Sequence, residues 1–408
     1  MLFRKKGRKI YTYRVKSRRV FSRYSPWRSA AVTVLSLAVL CVLGVVGYSV
    51  IGPLVIRMEQ EKENPTTVPD PFTAQSSVTT TTTTTDTTYV SHIETTTTTT
   101  TATTIPSEMN VLYLEDEALH DAERLSTALQ NAVDQGYHGV VMPLKQYGGF
   151  LYYASAVEGT DYCNAVQSEL TARELADMAK NAGLVPMAEI VTIADYCYPT
   201  YSFESGYFFE NSDERWLDDK PEEGGKPWMS PFAEASRSYL CDVAAELHEA
   251  GFVKILCADT EYPDFYASDL EYIGKDVSDK KRRADGLAGV LNVLDASDTG
   301  CAYAFDLYKA LNKEEEAIRS DTLAVKDAVI TFDYYLFSTP FYLGNDKYDP
   351  TGLTVAEHTE LLLMVADALA EDMSYTPCIS RHGLNDEEIM QATEAFRAAG
   401  FDAVLIAE

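Results

Sequence analysis

The sequence predicts an α/β fold, a (β/α)₈ TIM barrel, over residues 110–408. The barrel is expected to follow a single N-terminal transmembrane helix and a disordered Thr-rich linker. Three observations carry this. Eight short apolar stretches alternate with helical patterns from Asn110 to the end of the chain. Gly136, Gly183, Gly251 and Gly400 each fall just past a helical pattern and just before an apolar stretch, the sequence mark of an αβ turn. Ahead of them lie an uncharged apolar run and then a polar tract with almost nothing to bury. Eight strands in about 300 residues suit a closed barrel better than an open sheet.

Residues 1–28 carry eleven Lys and Arg, and no acidic residue occurs before Met58. Residues 29–56, SAAVTVLSLAVLCVLGVVGYSVIGPLVI, hold no charge and are long enough to cross a hydrocarbon core of about 30 Å. A basic flank ahead of an apolar span predicts an uncleaved, single-pass type II anchor in the cell membrane, with the C-terminal bulk extracellular. Residues 57–109, with threonine runs at 79–85 and 95–101, offer too little apolar surface to offset the entropy of ordering, and read as a disordered stalk.

Beyond the stalk, strands are expected at 110–115, 139–144, 185–193, 252–258, 301–306, 328–333, 375–380 and 402–407. Helices are expected at 119–135, 171–182, 231–250, 279–295, 354–371 and 385–399. Thr171 and Asn385 stand where helix caps belong. The unit around 227–263 anchors the pattern. There Ala235, Tyr239, Val243, Leu247 and Ala250 recur at helical spacing, so that face packs inward. Asp242, Glu246 and Glu249 are expected on or beside the wet face. The fifth unit, near 312–322, promises only a short or irregular helix.

The chain beyond Met58 holds 62 acidic side chains against 22 basic ones, which argues against nucleic acid as a partner. The seven cysteines include Cys41 in the apolar span and six downstream without metal-ligand spacing. Cys257, Cys301 and Cys378 fall on strands as buried thiols, while Cys163 and Cys197 lie in successive loops and could pair, a point the sequence leaves open. No phosphate-binding glycine loop, HExxH or GxSxG occurs, and neither cofactor nor metal is expected. Oligomeric state has no signature in the sequence.

Four stretches are similar to a bacterial family of glycoside-hydrolase-like barrels catalogued as a domain of unknown function: VVMPLKQYGGFLYYAS (140–155), PMAEIVTIADY (186–196), Trp228 and Pro231 with the helix to Gly251-Phe252, and CADTEYP (257–263). The resemblance implies a TIM-barrel glycosidase acting on carbohydrate. Lys145, Asp195 and Pro263 match the family's pattern. Pro143 and Ala258 stand where the family has Asp, and Glu189 and Glu261 where it has Arg. Either the acidic chemistry has moved to Asp259 and Glu261, or hydrolysis is lost and the barrel is a carbohydrate-binding or cell-wall-associated module.

Glycoside hydrolysis needs two carboxyls flanking the scissile bond. The catalytic candidates are Glu261, Asp259, Asp333, Asp306 and Glu189, all at strand ends or in the loops after them. Strand alternation puts Asp259 on the face opposite Leu256 and Ala258, so only loop geometry brings it to the barrel mouth. With Glu where the family has Arg, like charges are expected to crowd and raise at least one pKa. Aromatic rings with polar edges suit sugar faces. The substrate-binding candidates are Lys145, Tyr147, Tyr152, Asp195, Tyr196, Trp216, Trp228 and His382. About half of the loop aromatics are expected to serve a small core of the loops instead.

Overall fold

The computed structural model describes residues 108–407. The expected basic segment, transmembrane anchor and nearly all of the stalk lie outside the described residues. Among the described residues no helix is long and apolar enough to cross a membrane.

Eight parallel strands close on themselves: β1 (Met109–Tyr113), β2 (Gly139–Gln146), β3 (Val185–Val191), β4 (Ile255–Ala258), β5 (Cys301–Asp306), β6 (Asp327–Phe332), β7 (Ser374–Ser380) and β8 (Ala403–Ala407). Each pairs with the next, and β1 pairs with both β2 and β8, which closes the barrel. All eight expected strands are present. The main helices are α1 (Ala122–Asp134), α2 (Ala172–Asn181), α3 (Glu234–Ala250), α4 (Lys280–Ala296), the short α5 (Leu307–Leu311), α6 (Val355–Leu369) and α7 (Asp386–Ala398). The fifth unit is indeed irregular, α5 being followed by a single 3₁₀ turn at Ala317–Arg319.

Local chemistry sets the element ends. Thr171, Thr354 and Asn385 each close a reciprocal capping box with the Glu three residues on, satisfying donors that a helix start leaves free. Gly251 ends α3 at φ 102°, a left-handed conformation that a side chain would disfavour. The helix buries Tyr239, Leu240, Val243, Ala244 and Leu247 against the sheet. Glu246 departs from the wet-face expectation. It accepts hydrogen bonds from the Tyr153 hydroxyl (2.9 Å), the Ser155 hydroxyl (2.6 Å) and the Ala156 N–H (2.6 Å), and so pins the loop after β2 to α3.

Two apolar layers result. Val111, Val141, Val185, Met187, Leu256, Ala302, Val329, Cys378 and Leu405 fill the barrel interior. A larger layer lies between sheet and helices. Along β3 and β4 the interior positions continue upward to Glu189 and Ala258.

One irregularity in β2 decides a side chain's fate. Pro143 aligns with Glu189, but the next paired residue, Lys145, aligns with Ile190, so the register slips by one residue at a bulge. Proline has no N–H to give the ladder, and a bulge is where a strand tolerates it. The slip turns Lys145 from the interior face to the outer layer, where its Nζ lies 5.9 Å from the Tyr239 ring of α3.

Candidate active site

The C-terminal ends of the strands bring a set of carboxyls to one mouth, as barrels of this type do. Glu189 lies on the inward row of β3 and accepts a hydrogen bond from the Tyr113 hydroxyl of β1. Burial and the charge of Asp259 push its pKa up to about 7, against the opposing effect of that hydrogen bond. Asp259 follows β4 with φ 43°, a left-handed backbone that non-glycine residues adopt rarely and at a cost of roughly 1–3 kcal/mol. That twist is the loop geometry that strand alternation required: Asp259 acts electrostatically on Glu189, on Glu261 and on Lys309. The Glu261 carboxyl is also raised, first by burial, with Asp259 and Asp264 adding to it and Lys309 opposing. Lys309 Nζ stands 3.7 Å from Glu261 Oε2. Asp259 thus acts on both Glu189 and Glu261, and both of these glutamates are raised.

Asp306 and Asp333 ended strands in the sequence reading, and each has a structural partner. Asp306 caps α5, accepting from the Lys309 N–H at 2.8 Å, and burial raises its pKa. Asp333 accepts from the Leu336 N–H at 3.0 Å through one oxygen and lies 3.0 Å from His382 Nδ1 through the other. The half-exposed His382 ring lies against Tyr335, with centroids 4.3 Å apart. It is thus a mouth residue held by a buried carboxylate.

Four candidates for substrate contact are corrected. Lys145 and Asp195 form a fully buried ion pair at 2.8 Å, with Lys145 also donating to the Val191 carbonyl at 2.8 Å and Asp195 accepting from the Tyr198 N–H at 2.9 Å. They tie the loops after β2 and β3 together and present nothing to a ligand, because the β2 bulge turned Lys145 away from the mouth. Trp216, 1% exposed, donates its Nε1–H to Asp269 at 2.9 Å within a loop core that includes Tyr207 and Phe265. Tyr152 is occupied elsewhere, donating to Asp116 at 2.8 Å and edging onto His120.

The remaining aromatics converge. The Trp228 ring contacts Tyr147 (5.4 Å) and Tyr196 (5.5 Å), and Tyr147 is 58% exposed. A cavity of about 160 Å³ is walled by Tyr147, Trp228, Glu261, Pro263 and Asp264. It shares Tyr147, Trp228, Pro263 and Asp264 with a groove of about 500 Å³ that reaches Asp218 and Tyr266. A larger groove, about 990 Å³, runs from Glu261 along α4 to Lys313 and Arg319. Glu261 thus stands where an aromatic cavity meets a long groove. Among the described residues no group of three or more His, Cys, Asp or Glu side chains is placed to share a metal ion.

Three further residues belong to this site and escaped the sequence reading: Tyr113, Lys309 and Glu315. Glu315 is buried, accepts from the Tyr303 hydroxyl at 3.0 Å, and is pushed up to about 7 by burial. A Glu-Glu-Glu run in an irregular segment looks like solvated surface. Its only signal was the irregularity of that unit.

Residues 111–317 match the family described as "Putative glycosyl hydrolase domain". The chain belongs to this family. The match covers the first five strands and the acid cluster, which include all four of the stretches that carry the sequence resemblance. No curated protein matches the chain. Among solved structures, a hypothetical protein from Ruminiclostridium thermocellum is similar at 18% identity, covering 47% of this chain and 96% of its own, with a TM-score of 0.39. The glycoside hydrolase domain of PgaB (BpsB) from Bordetella bronchiseptica is similar at 13% identity over 74% of this chain and 94% of its own, with a TM-score of 0.47. The glycoside hydrolase domain of PelA from Pseudomonas aeruginosa is similar at 13% identity over 74% and 95%, with a TM-score of 0.35. Likenesses this distant carry no argument about what a glycosyl hydrolase family member such as this one acts on.

Proposed function

We propose that the chain is a membrane-anchored extracellular glycoside hydrolase that acts on a cell-surface or environmental polysaccharide, with Glu189 and Glu261 as its catalytic carboxyls. The observation that carries this is the placement of Glu189 on β3 and of Asp259 and Glu261 just past the adjacent β4, with Glu261 also walling the aromatic cavity. A glycosidase needs one carboxyl that keeps its proton near neutral pH and a second that stays ionised. Glu189, with its pKa at about 7, suits the first requirement. Tyr147, backed by the Trp228 ring, offers a sugar an exposed aromatic face with a polar edge, and His382, set by Asp333, is a polar contact at the same mouth. The anchor is residues 29–56 and the spacer residues 57–109, which together hold the domain of residues 110–408 outside the cell.

The test is release of reducing ends from a panel of polysaccharides by the full chain, with glycan binding measured in parallel. Glu189→Gln and Glu261→Gln should each cost about 10²–10⁴ in rate, the usual weight of acid–base catalysis, while binding survives. Unchanged turnover in either variant removes that residue from the pair. Binding by the wild type with no turnover on any glycan would make the barrel a binding module.

A further inference from the structure

Lys309 is the basic residue among those that neither the family resemblance nor the strand-end pattern pointed to. Its backbone is fixed at the first turn of α5, because its N–H bonds the Asp306 carboxylate at 2.8 Å. Its side chain then reaches across to the neighbouring loop, where Nζ meets Glu261 at 3.7 Å. The family resemblance places a basic residue at position 261, within the loop itself; here that position is Glu, and the positive charge comes from the next strand's helix. On the adjacent strand Glu189 interacts with Asp259, the Tyr113 hydroxyl and the Cys378 thiol, none of which is a cation.

We propose that Lys309 is a positioning residue: its ammonium fixes Glu261 as the basic or nucleophilic carboxylate and leaves the role of proton donor to Glu189. This assignment rests on the glycosidase reading for its meaning, but its physical content, the order in which two carboxyls ionise, does not. The groups facing Glu261 are Lys309 of α5, Asp259 and Asp264 of its own loop, and Tyr303 and Glu315 of the fifth unit. Tyr147 faces it from the loop after β2. Lys309 is the cation in that set. Asp259, Glu315 and Asp306 act on the ammonium in turn and hold it charged. Burial acts on both glutamates, more heavily on Glu189, and the cation beside Glu261 widens the difference between them.

The experiment needs no substrate. The full chain is prepared with ¹³C-labelled glutamate side chains, and the Glu189 and Glu261 carboxyl signals are assigned from Glu189→Gln and Glu261→Gln. Both are then titrated between about pH 3 and 9. Glu261 should ionise at lower pH than Glu189. Lys309→Met should raise the Glu261 midpoint by about one pH unit, as loss of an opposite charge within a few ångströms does, and leave Glu189 nearly unmoved. Lys309→Arg should restore the wild-type value, which a loss of packing alone would not explain. Ionisation of Glu189 first in the wild type overturns the proposal, and that measurement stands even if Lys309→Met fails to fold. An unmoved Glu261 midpoint in folded Lys309→Met overturns it as well. With a polysaccharide that the wild type hydrolyses, Lys309→Met should also move the acid limb of kcat/KM upward. Normal titration order with no turnover on any glycan would sink the hydrolase reading while leaving the ionisation order intact.

Discussion

Glu189 shows how one substitution changes the character of a site. A carboxyl placed on the inward row of a barrel strand loses much of its solvent, and Asp259 adds a like charge, so the folded protein holds the proton up to about pH 7. Because the folded state binds that proton more tightly than the unfolded chain, Glu189 contributes stability below its ordinary pKa near 4.5, and that contribution is lost as pH rises through about 7. Glu315 is raised over the same window. Glu189→Gln and Glu315→Gln should therefore each flatten the fall in unfolding free energy between about pH 4.5 and 7, as measured by denaturant titration. Parallel wild-type and variant curves across that window would mean that neither carboxyl is raised. Tyr113, which donates to Glu189, was recognisable only as a strand residue, since nothing local says which carboxyl a hydroxyl on β1 will meet.

The elements hold these groups in place, and the Lys145–Asp195 pair is the clearest case. Both side chains are fully buried, so neither charge survives well without the other. Lys145→Met should cost about 3–5 kcal/mol by leaving Asp195 buried and unpaired, and Lys145→Met with Asp195→Leu should recover part of that. A single variant of wild-type stability would refute the role assigned to the pair. Cys163 and Cys197 mark a second junction of the same loops. The thiol of Cys163 reaches the Cys197 carbonyl at 4.0 Å and contacts its thiol, and both cysteines are free. An added disulfide oxidant should link them, and peptide mapping after alkylation without reduction should find the crosslinked pair. Alkylated monomers alone would show that the two loops do not close on each other. In α3, Leu247 is fully buried under the sheet, and Leu247→Ala should cost about 2–5 kcal/mol in a denaturant melt.

At the scale of the whole chain, charge is segregated. Every acidic residue follows the uncharged run, and the segment before it is basic. Protease shaving of intact cells should release the barrel by cutting within the Thr-rich spacer, whereas cleavage only after lysis would reverse the topology. The closed barrel carries its own two apolar layers. Deleting residues 1–106 should therefore change its stability by no more than about 1 kcal/mol, the scale of changes remote from a core. An insoluble or molten product would show that the earlier residues take part in the fold.

The alternation of strands and helices, the caps at Thr171 and Asn385 and the stop at Gly251 were legible in the sequence because they are local: each depends on a few neighbouring residues and the period of the apolar pattern. That Asp259 lies near both Glu189 and Glu261 was legible for a related reason, since adjacent strands of a barrel end side by side at one mouth. What tertiary structure decided were the outcomes that a single residue's register or backbone sign reverses. One slipped residue at Pro143 sent Lys145 out of the mouth and into the outer layer. A positive φ at Asp259 brought its carboxyl back among the others. Trp216 and Trp228 both belong to the loop core, yet only Trp228 also walls the cavity, because that choice depends on long loops folding against one another. Lys309 and Glu315 join Glu261 across a strand boundary, more than forty residues away in the chain. No local pattern records such a meeting, since it exists only once the barrel has closed.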